Sequence, residues 1–161
     1  MDDQAAEMIG TSHQQRALAV LRVALGAMFV WVFFENLGKG AYTPAGYKGV
    51  IDYYVKNGHS PAVWKALISV MADNARIVAP LQAATELGFG VLLLAGVATR
   101  VVAAAAGAFL FTLWVSELGT SWIWELGIPV IVAFSLAWAG AGRTWGVDAV
   151  LARRYPGWRL G

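Results

Sequence analysis

Glu86 lies in the middle of a long apolar run, with Gln82 one helical turn before it. An ionised carboxylate in hydrocarbon is costly, so such a residue normally faces the interior of a helix bundle or a wet cavity. Burial and the proximity of other carboxylates both favour the protonated form of a carboxyl group. A protonated Glu86 could donate a hydrogen bond to a carbonyl, to Gln82 or to a quinone oxygen. The alternative is that the two side chains only hold neighbouring helices together.

Three further glutamates, Glu35, Glu117 and Glu125, lie near the ends of other apolar runs. If each run is a helix rising about 1.5 Å per residue, all four carboxylates fall in the same half of the bundle, each on a different helix. We therefore expect them to meet in one chamber shielded from lipid and to form candidate ligand-binding or proton-binding groups. For these three residues, solvation close to the headgroups is the simpler interpretation.

Other site chemistries are not predicted. The chain has no cysteine, which excludes disulfides and thiolate metal sites within it. His13 and His59 lie outside the apolar runs, on opposite sides, so they are not placed to ligate a haem within the membrane. No glutamate has a histidine three residues on, the spacing that carboxylate metal sites of helix bundles use. We therefore expect neither haem nor metal.

The composition is that of a membrane protein. Of 161 residues, 58% are hydrophobic and only 14% are charged, whereas soluble domains have roughly a quarter charged residues. The basic residues mark the ends of apolar runs and do not cluster with aromatic ones, so the expected partner is a lipid bilayer and not a nucleic acid.

Four apolar runs must position these side chains. Each is long enough to cross a hydrocarbon layer of about 30 Å; they are residues 17–38, 76–98, 101–119 and 122–140. The prediction is a single all-α domain, an integral membrane four-helix bundle covering residues 1–161, with a tail at 141–161. The pairs Ala84 and Gly88, and Ala103 and Gly107, have the small-residue spacing that permits close helix contact.

The connection between the first two runs is too apolar for a free loop. Its segment 46–73 predicts one or two short amphipathic helices at the membrane interface, the first ending at Asn57-Gly58. The second is expected to begin with Ser60 as its N-cap. Its apolar stripe comprises Trp64, Leu67, Ile68 and Met71.

Arginines set the predicted orientation. Arg100 and Arg143 fall on the same side as both termini, which the positive-inside rule places in the cytoplasm. The expected location is the plasma (inner) membrane of a prokaryote, with several passes. Arg22, Arg100, Arg143 and Asp148 are candidate structural residues of the inner face. We expect Asp148 either to cap the tail helix or to pair with Arg22 or Arg143.

Three segments together resemble the DoxX/DoxD family, over roughly residues 17–155. They are "LRVALGAMFVWVFFENLGKG", "PLQAATELGFGVLLLAGVATRVVAA" and the tail "GAGRTWGVDAVLARR". This family includes the small membrane subunit of thiosulfate:quinone oxidoreductase. The resemblance implies membrane redox chemistry beside a quinone, or partnership with another protein subunit.

Two functions are therefore predicted. In the first, the protein is a quinone-associated subunit of a membrane redox system, and Glu86 and Gln82 contact the quinone head group. In the second, it is a non-catalytic accessory subunit that anchors a larger membrane complex. A proton or cation conduit is a weaker alternative, because the inner half lacks matching polar residues and Arg22 would repel cations.

Overall fold

The chain folds into helices joined by short turns. The computed structural model describes residues 3–155 and 157–161, and for residues 3–12 the backbone alone. Within these residues there are seven α-helices and no β-strand, which confirms the predicted all-α class. The helices are α1 (Asp3–Gly38), α2 (Pro44–Asn57), α3 (Ala62–Asp73), α4 (Ala75–Ala95), α5 (Thr99–Ser116), α6 (Ile123–Ala139) and α7 (Val147–Arg154), with a 3-10 turn at Ala141–Arg143 before α7.

Three of the described helices are long and apolar enough to cross a membrane, judged by length and composition. They are the His13–Gly38 part of α1, and all of α4 and α5. Helix α6 is apolar but shorter, with 17 residues. The bounds of α4, α5 and α6 agree with the predicted runs to within about three residues, because a hydropathy pattern locates apolar helices well. Helix α1 ends at Gly38 as predicted but begins at Asp3, well before the predicted start at residue 17.

The four apolar helices pack in pairs, α1 against α4 and α5 against α6, with further contacts of α1 with α6 and of α4 with α5. Helices α1 and α4 cross where Gly26 meets Gly90. A Cβ atom at Gly90 would lie 2.7 Å from Cγ2 of Val30, and one at Gly26 would lie 2.9 Å from the backbone nitrogen of Leu94. Only glycine permits this approach, so this crossing fixes how α4 presents its side chains to α1.

One of the two predicted small-residue contacts is present. Ala103 and Gly107 are buried, and Gly107 faces Phe134 of α6. The prediction for Ala84 and Gly88 is wrong: Ala84 is exposed, and no described atom lies within 4 Å of a Cβ built at Gly88. The contact of α4 with α1 uses Gly90 instead, which lies on another face of the helix.

Helices α2 and α3 lie across one end of these helices, the end that we call the α2–α3 end. Helix α2 ends at Asn57, where the N–H of Gly58 donates to Tyr54 O at 2.8 Å, and this predicted boundary is confirmed. Ser60 is not the N-cap of α3, because Pro61 takes that position. The Ser60 hydroxyl donates instead to the carbonyl of Val115, at 2.7 Å, and so attaches the α2–α3 link to the end of α5.

Helix α3 is apolar on two faces. Ile68 is buried, and Trp64 and Met71 pack with it against α2 and the start of α4. Leu67 was expected on the same stripe, but it is exposed and shares the outer face with Val63 and Val70. This outer stripe is suited to contact with lipid or with another protein.

Candidate functional site

Glu86 is buried in the middle of α4, with a relative exposure of 1%. Its carboxylate accepts three side-chain hydrogen bonds: Gln82 Nε2 donates to Oε1 at 2.9 Å, Asn36 Nδ2 donates to Oε2 at 3.3 Å, and the Tyr42 hydroxyl also donates to Oε2. We call these four residues the Glu86 cluster. Glu86 thus faces the interior of the helices, as its sequence context predicts, and Gln82 lies on the same face.

Three segments bring the cluster together. Asn36 lies in the last turn of α1, and Tyr42 follows in the turn that leads to α2. Gly40, with φ of +70°, reverses the chain there, and Ala41 N donates to Asn36 O at 2.9 Å. The Tyr42 ring then stacks on Phe33, with 5.5 Å between ring centroids. The turn therefore places the phenol hydroxyl against the middle of α4.

The sequence prediction did not include Asn36 and Tyr42 among the site residues. A signal for Asn36 was present, because it is a polar side chain next to Glu35 near the end of an apolar run. Tyr42 gave no such signal, because its position depends on the turn at Gly40.

The partners of Glu86 are all uncharged. None of the ion pairs within the described residues includes this carboxylate. Burial, together with the hydrogen bond to Glu86, raises the pKa of Tyr42 well above the usual value for a phenol. The hydroxyl therefore keeps its proton and acts as a donor. Hydrogen bonds of this kind offset much of the cost of burying a carboxylate.

The other three glutamates do not join this cluster. Glu117, at the end of α5, accepts hydrogen bonds from the Tyr54 hydroxyl and from Ser121 Oγ, each at 2.9 Å. Burial raises the pKa of Tyr54, and the nearby carboxylates of Glu117 and Glu125 raise it further. Glu125 itself is exposed in the first turn of α6.

The carboxylate of Glu35 is exposed and forms an ion pair with Lys39 at 2.6 Å. A step of one residue turns a helix by about 100°, so Glu35 points outward while Asn36 points toward Glu86. The expectation of one shared chamber is therefore wrong, although the four acids do lie toward the same half of the protein. Their role in binding a ligand or a proton stays a prediction.

A second set of buried charges lies at the opposite end, which we call the tail end. Arg22 of α1 has 0% exposure. Its Nη1 donates to the carbonyls of Ala141, at 3.2 Å, and Thr144, at 3.3 Å, and its Nη2 donates to Trp145 O at 2.9 Å. One guanidinium thus holds the turn between α6 and α7 against α1.

Asp148, at the start of α7, also has 0% exposure. Its carboxylate accepts hydrogen bonds from the backbone N–H groups of Ala98 and Thr99, both at 2.8 Å, and from Trp158 Nε1 at 3.0 Å. It therefore caps α5. The expectations that it caps its own helix, or forms an ion pair with Arg22 or Arg143, are wrong for the described residues. We call Arg22, Asp148 and these partners the tail clamp.

Arg100 and Arg143 remain exposed at the tail end. Arg100 Nη2 donates to Trp138 O at 3.3 Å, and both arginines line a cavity of about 190 Å³. They thus lie beside the tail clamp and take no part in it.

An apolar groove of about 550 Å³ runs between α1 and α4. Trp31 and Phe34 form its α1 side, and Leu94 forms its α4 side. Glu35 also lines it. No group of three metal-binding side chains occurs in the part of the chain that the structure describes.

Long apolar helices that enclose a buried, hydrogen-bonded carboxyl group indicate a multi-pass membrane protein of all-α class. The model of the DoxX family matches residues 17–117. This match covers more than half of the chain, so the protein belongs to the DoxX family, which confirms the resemblance. It includes the Glu86 cluster but stops before Asp148. No characterised protein and no solved structure shows a significant match to the chain.

Proposed function

We propose that this DoxX protein is a quinone-associated subunit of a membrane redox system, and that the Glu86 cluster contacts the quinone head group. The observation that carries this proposal is the buried carboxylate of Glu86, whose three donors are all neutral side chains. A site of this kind can exchange a partner for a ligand, because side chains can rotate and backbone groups cannot.

The donor set fits the chemistry of a quinone. Quinone carbonyl oxygens accept hydrogen bonds, and quinol hydroxyls donate them; when bound, the group supplies two-electron, two-proton redox chemistry. Tyr42, Asn36 and Gln82 provide donors, and Glu86 provides an acceptor that can also carry a proton. The chain therefore offers both of the hydrogen-bonding partners that the two redox forms require.

Each residue of the cluster has a distinct role in this proposal. Gln82 holds Oε1 of Glu86, which leaves Oε2 directed at Asn36 and Tyr42. Tyr42 stays protonated through the physiological range, as a phenol ordinarily does, and burial raises its pKa further. Glu86 is the group that would take up or release a proton at Oε2, and its burial keeps bulk water from competing.

A separate apolar groove lies between α1 and α4, and none of the four residues of the Glu86 cluster lines it. Its lining of aromatic and aliphatic side chains is suited to an isoprenoid tail.

A small dianion such as thiosulfate is a poor fit for the cluster. Lys39, the cation nearest in sequence to Asn36 and Tyr42, is paired with Glu35, and strong recognition of a dianion uses cationic donors. The Glu86 carboxylate would also repel it. The chain also has no cysteine. Sulfur chemistry and the electron donor would therefore belong to a partner subunit.

The proposal includes a topology with four spans in the plasma (inner) membrane of a prokaryote. Helix α6 packs along α5, and its 17 apolar residues come close to the length that a crossing requires. Arginines at the tail end favour cytoplasmic termini: Arg16, Arg100, Arg143, Arg153, Arg154 and Arg159.

A second candidate function is that of an accessory subunit that anchors a larger complex. The observation that favours it is the exposed outer stripe of α3, formed by Val63, Leu67 and Val70. A partner protein could dock there at the membrane surface. This function would not require Glu86 to bind anything.

Quinone retention by purified protein tests the first function. Wild-type protein, extracted from membranes in mild detergent, should retain close to one quinone per chain. Glu86→Gln should lower the affinity for an added short-chain quinone by roughly tenfold or more, since a hydrogen bond to a charged group is lost. The matched control is Asp52→Asn, which changes an exposed carboxylate of α2 and should bind as the wild type does.

Equal quinone binding by wild-type protein and Glu86→Gln would contradict the proposal. Absence of quinone from the wild type, together with a stable partner that is lost when Leu67 is changed to a charged residue, would establish the accessory function instead.

A further inference from the structure

The tail end carries a basic cavity that the proposed function does not use. It has a volume of about 190 Å³, and its polar lining comes from the side chains of Gln15, Arg100, Arg143 and Thr144, together with the backbone of Gly161. No aspartate or glutamate side chain lines it. We propose that this cavity binds the phosphate group of an anionic phospholipid.

Most of the N–H donors of the two arginines form no hydrogen bond with the described residues. Of the five N–H donors of a guanidinium, Arg100 uses one for Trp138 O. Neither arginine takes part in an ion pair within the described residues. Guanidinium groups bind phosphate oxygens through paired, charge-assisted hydrogen bonds. Two of them in the lining of one small cavity make a site for a single phosphate.

Gly140 holds one of these guanidinium groups in place. It ends α6 with φ of +67°, and a Cβ atom there would lie 2.8 Å from Nε of Arg100. The bare backbone thus lets Arg100 lie against the end of α6, and Arg143 follows three residues later in the 3-10 turn. The same turn therefore positions both arginines.

The position of the cavity relative to the bilayer surface points to a lipid as its occupant. Trp138 and Trp145 come directly before and after the segment 139–144 that lines it, and they are 89% and 65% exposed; exposed indole rings favour the headgroup level of a bilayer. Ile131 and Phe134 precede Trp138 on the same face of α6 and are also exposed. A phosphate held by Arg100 would thus continue into acyl chains along α6. Basic pockets of this kind between membrane helices bind anionic headgroups.

Thermal unfolding of delipidated protein in a neutral detergent tests this site. Phosphatidylglycerol should raise the unfolding midpoint by several degrees, because a ligand that binds the folded state stabilises it. Phosphatidylcholine with the same acyl chains should raise it much less. The variant carrying both Arg100→Gln and Arg143→Gln should lose most of the increase. Arg76→Gln removes an exposed arginine at the other end of α4 and should keep it.

Two further measurements complete the test. Arg143→Gln alone should lose about half of the increase, and its side chain has no hydrogen bond or ion pair to any described residue, so its folding is not at risk. Inorganic phosphate at the same concentration should produce no shift. An equal increase in the double variant, or an equal shift with inorganic phosphate, would overturn the proposal.

Discussion

Two carboxylates among the described side chains, Glu86 and Asp148, are almost completely buried, and they differ in what surrounds them. Asp148 is held by two backbone N–H groups and an indole N–H. Glu86 is held by three side chains from α1, from the turn that follows it and from α4. Burial alone does not distinguish a structural carboxylate from a functional one. The type of donor does, because backbone N–H groups are fixed by the fold, whereas amide and phenol side chains can rotate toward a ligand.

The comparison predicts opposite consequences when each carboxylate is removed. In the tail clamp the loss is structural, since the N–H groups of Ala98 and Thr99 would be left unpaired. In the Glu86 cluster the loss is mainly functional, since the side-chain donors can form hydrogen bonds with water or with one another instead.

The largest expected effect is that of Asp148→Ala. The variant loses the cap of α5 and leaves buried donors without partners, so the free energy of unfolding should fall by about 2–4 kcal/mol. Chemical unfolding in detergent, followed by far-ultraviolet circular dichroism, measures this change. Glu86→Gln, measured in the same way, should lose less than about 1 kcal/mol, since an amide can still accept and donate hydrogen bonds. A larger loss in Glu86→Gln than in Asp148→Ala would break the comparison.

A smaller effect is expected from Tyr42→Phe. Near neutral pH it should lower the free energy of unfolding by about 1 kcal/mol, because Glu86 loses one donor. The folded protein keeps the phenol proton at pH values where the unfolded chain has lost it. The free energy of unfolding of the wild type should therefore fall as the pH rises above 10, and it should fall less in Tyr42→Phe.

The matched control for this pH dependence is Asn36→Ala. It also removes a donor from Glu86 but leaves the phenol of Tyr42 in place. It should lose stability near neutral pH and keep the decline above pH 10. A decline that is identical in wild type and Tyr42→Phe would show that the Tyr42 phenol does not contribute to it.

The smallest effect is expected from Glu35→Gln. This residue belongs to an exposed ion pair with Lys39, and such pairs contribute between zero and about 1 kcal/mol. The difference from the wild type should shrink further at high salt, as unfolding measured at two ionic strengths would show. A salt-independent loss above that range would mean that Glu35 shares the burial of Glu86.

The helices and the burial of Glu86 were predictable from the sequence. Hydropathy locates apolar helices to within a few residues, and a lone acid in an apolar run must face inward. The helix end at Asn57 followed from local turn chemistry in the same way.

The contacts of the site were less predictable, because they depend on helix phase and on chain reversals. Two adjacent residues of α1 point in different directions: Glu35 is exposed, and Asn36 faces Glu86. Tyr42 reaches Glu86 only because Gly40 reverses the chain. Asp148 caps a helix that begins 49 residues earlier, and no local pattern signals such a distant partner.

That distance has a consequence for how the protein is made. When the ribosome has synthesised α5, Asp148, which accepts the hydrogen bonds at the start of that helix, has not yet been made. Helix α6 is synthesised before Asp148. The start of α5 can reach its final hydrogen bonding only after the tail has emerged and folded back. Helix α7 therefore completes the hydrogen bonding of a helix that was synthesised much earlier.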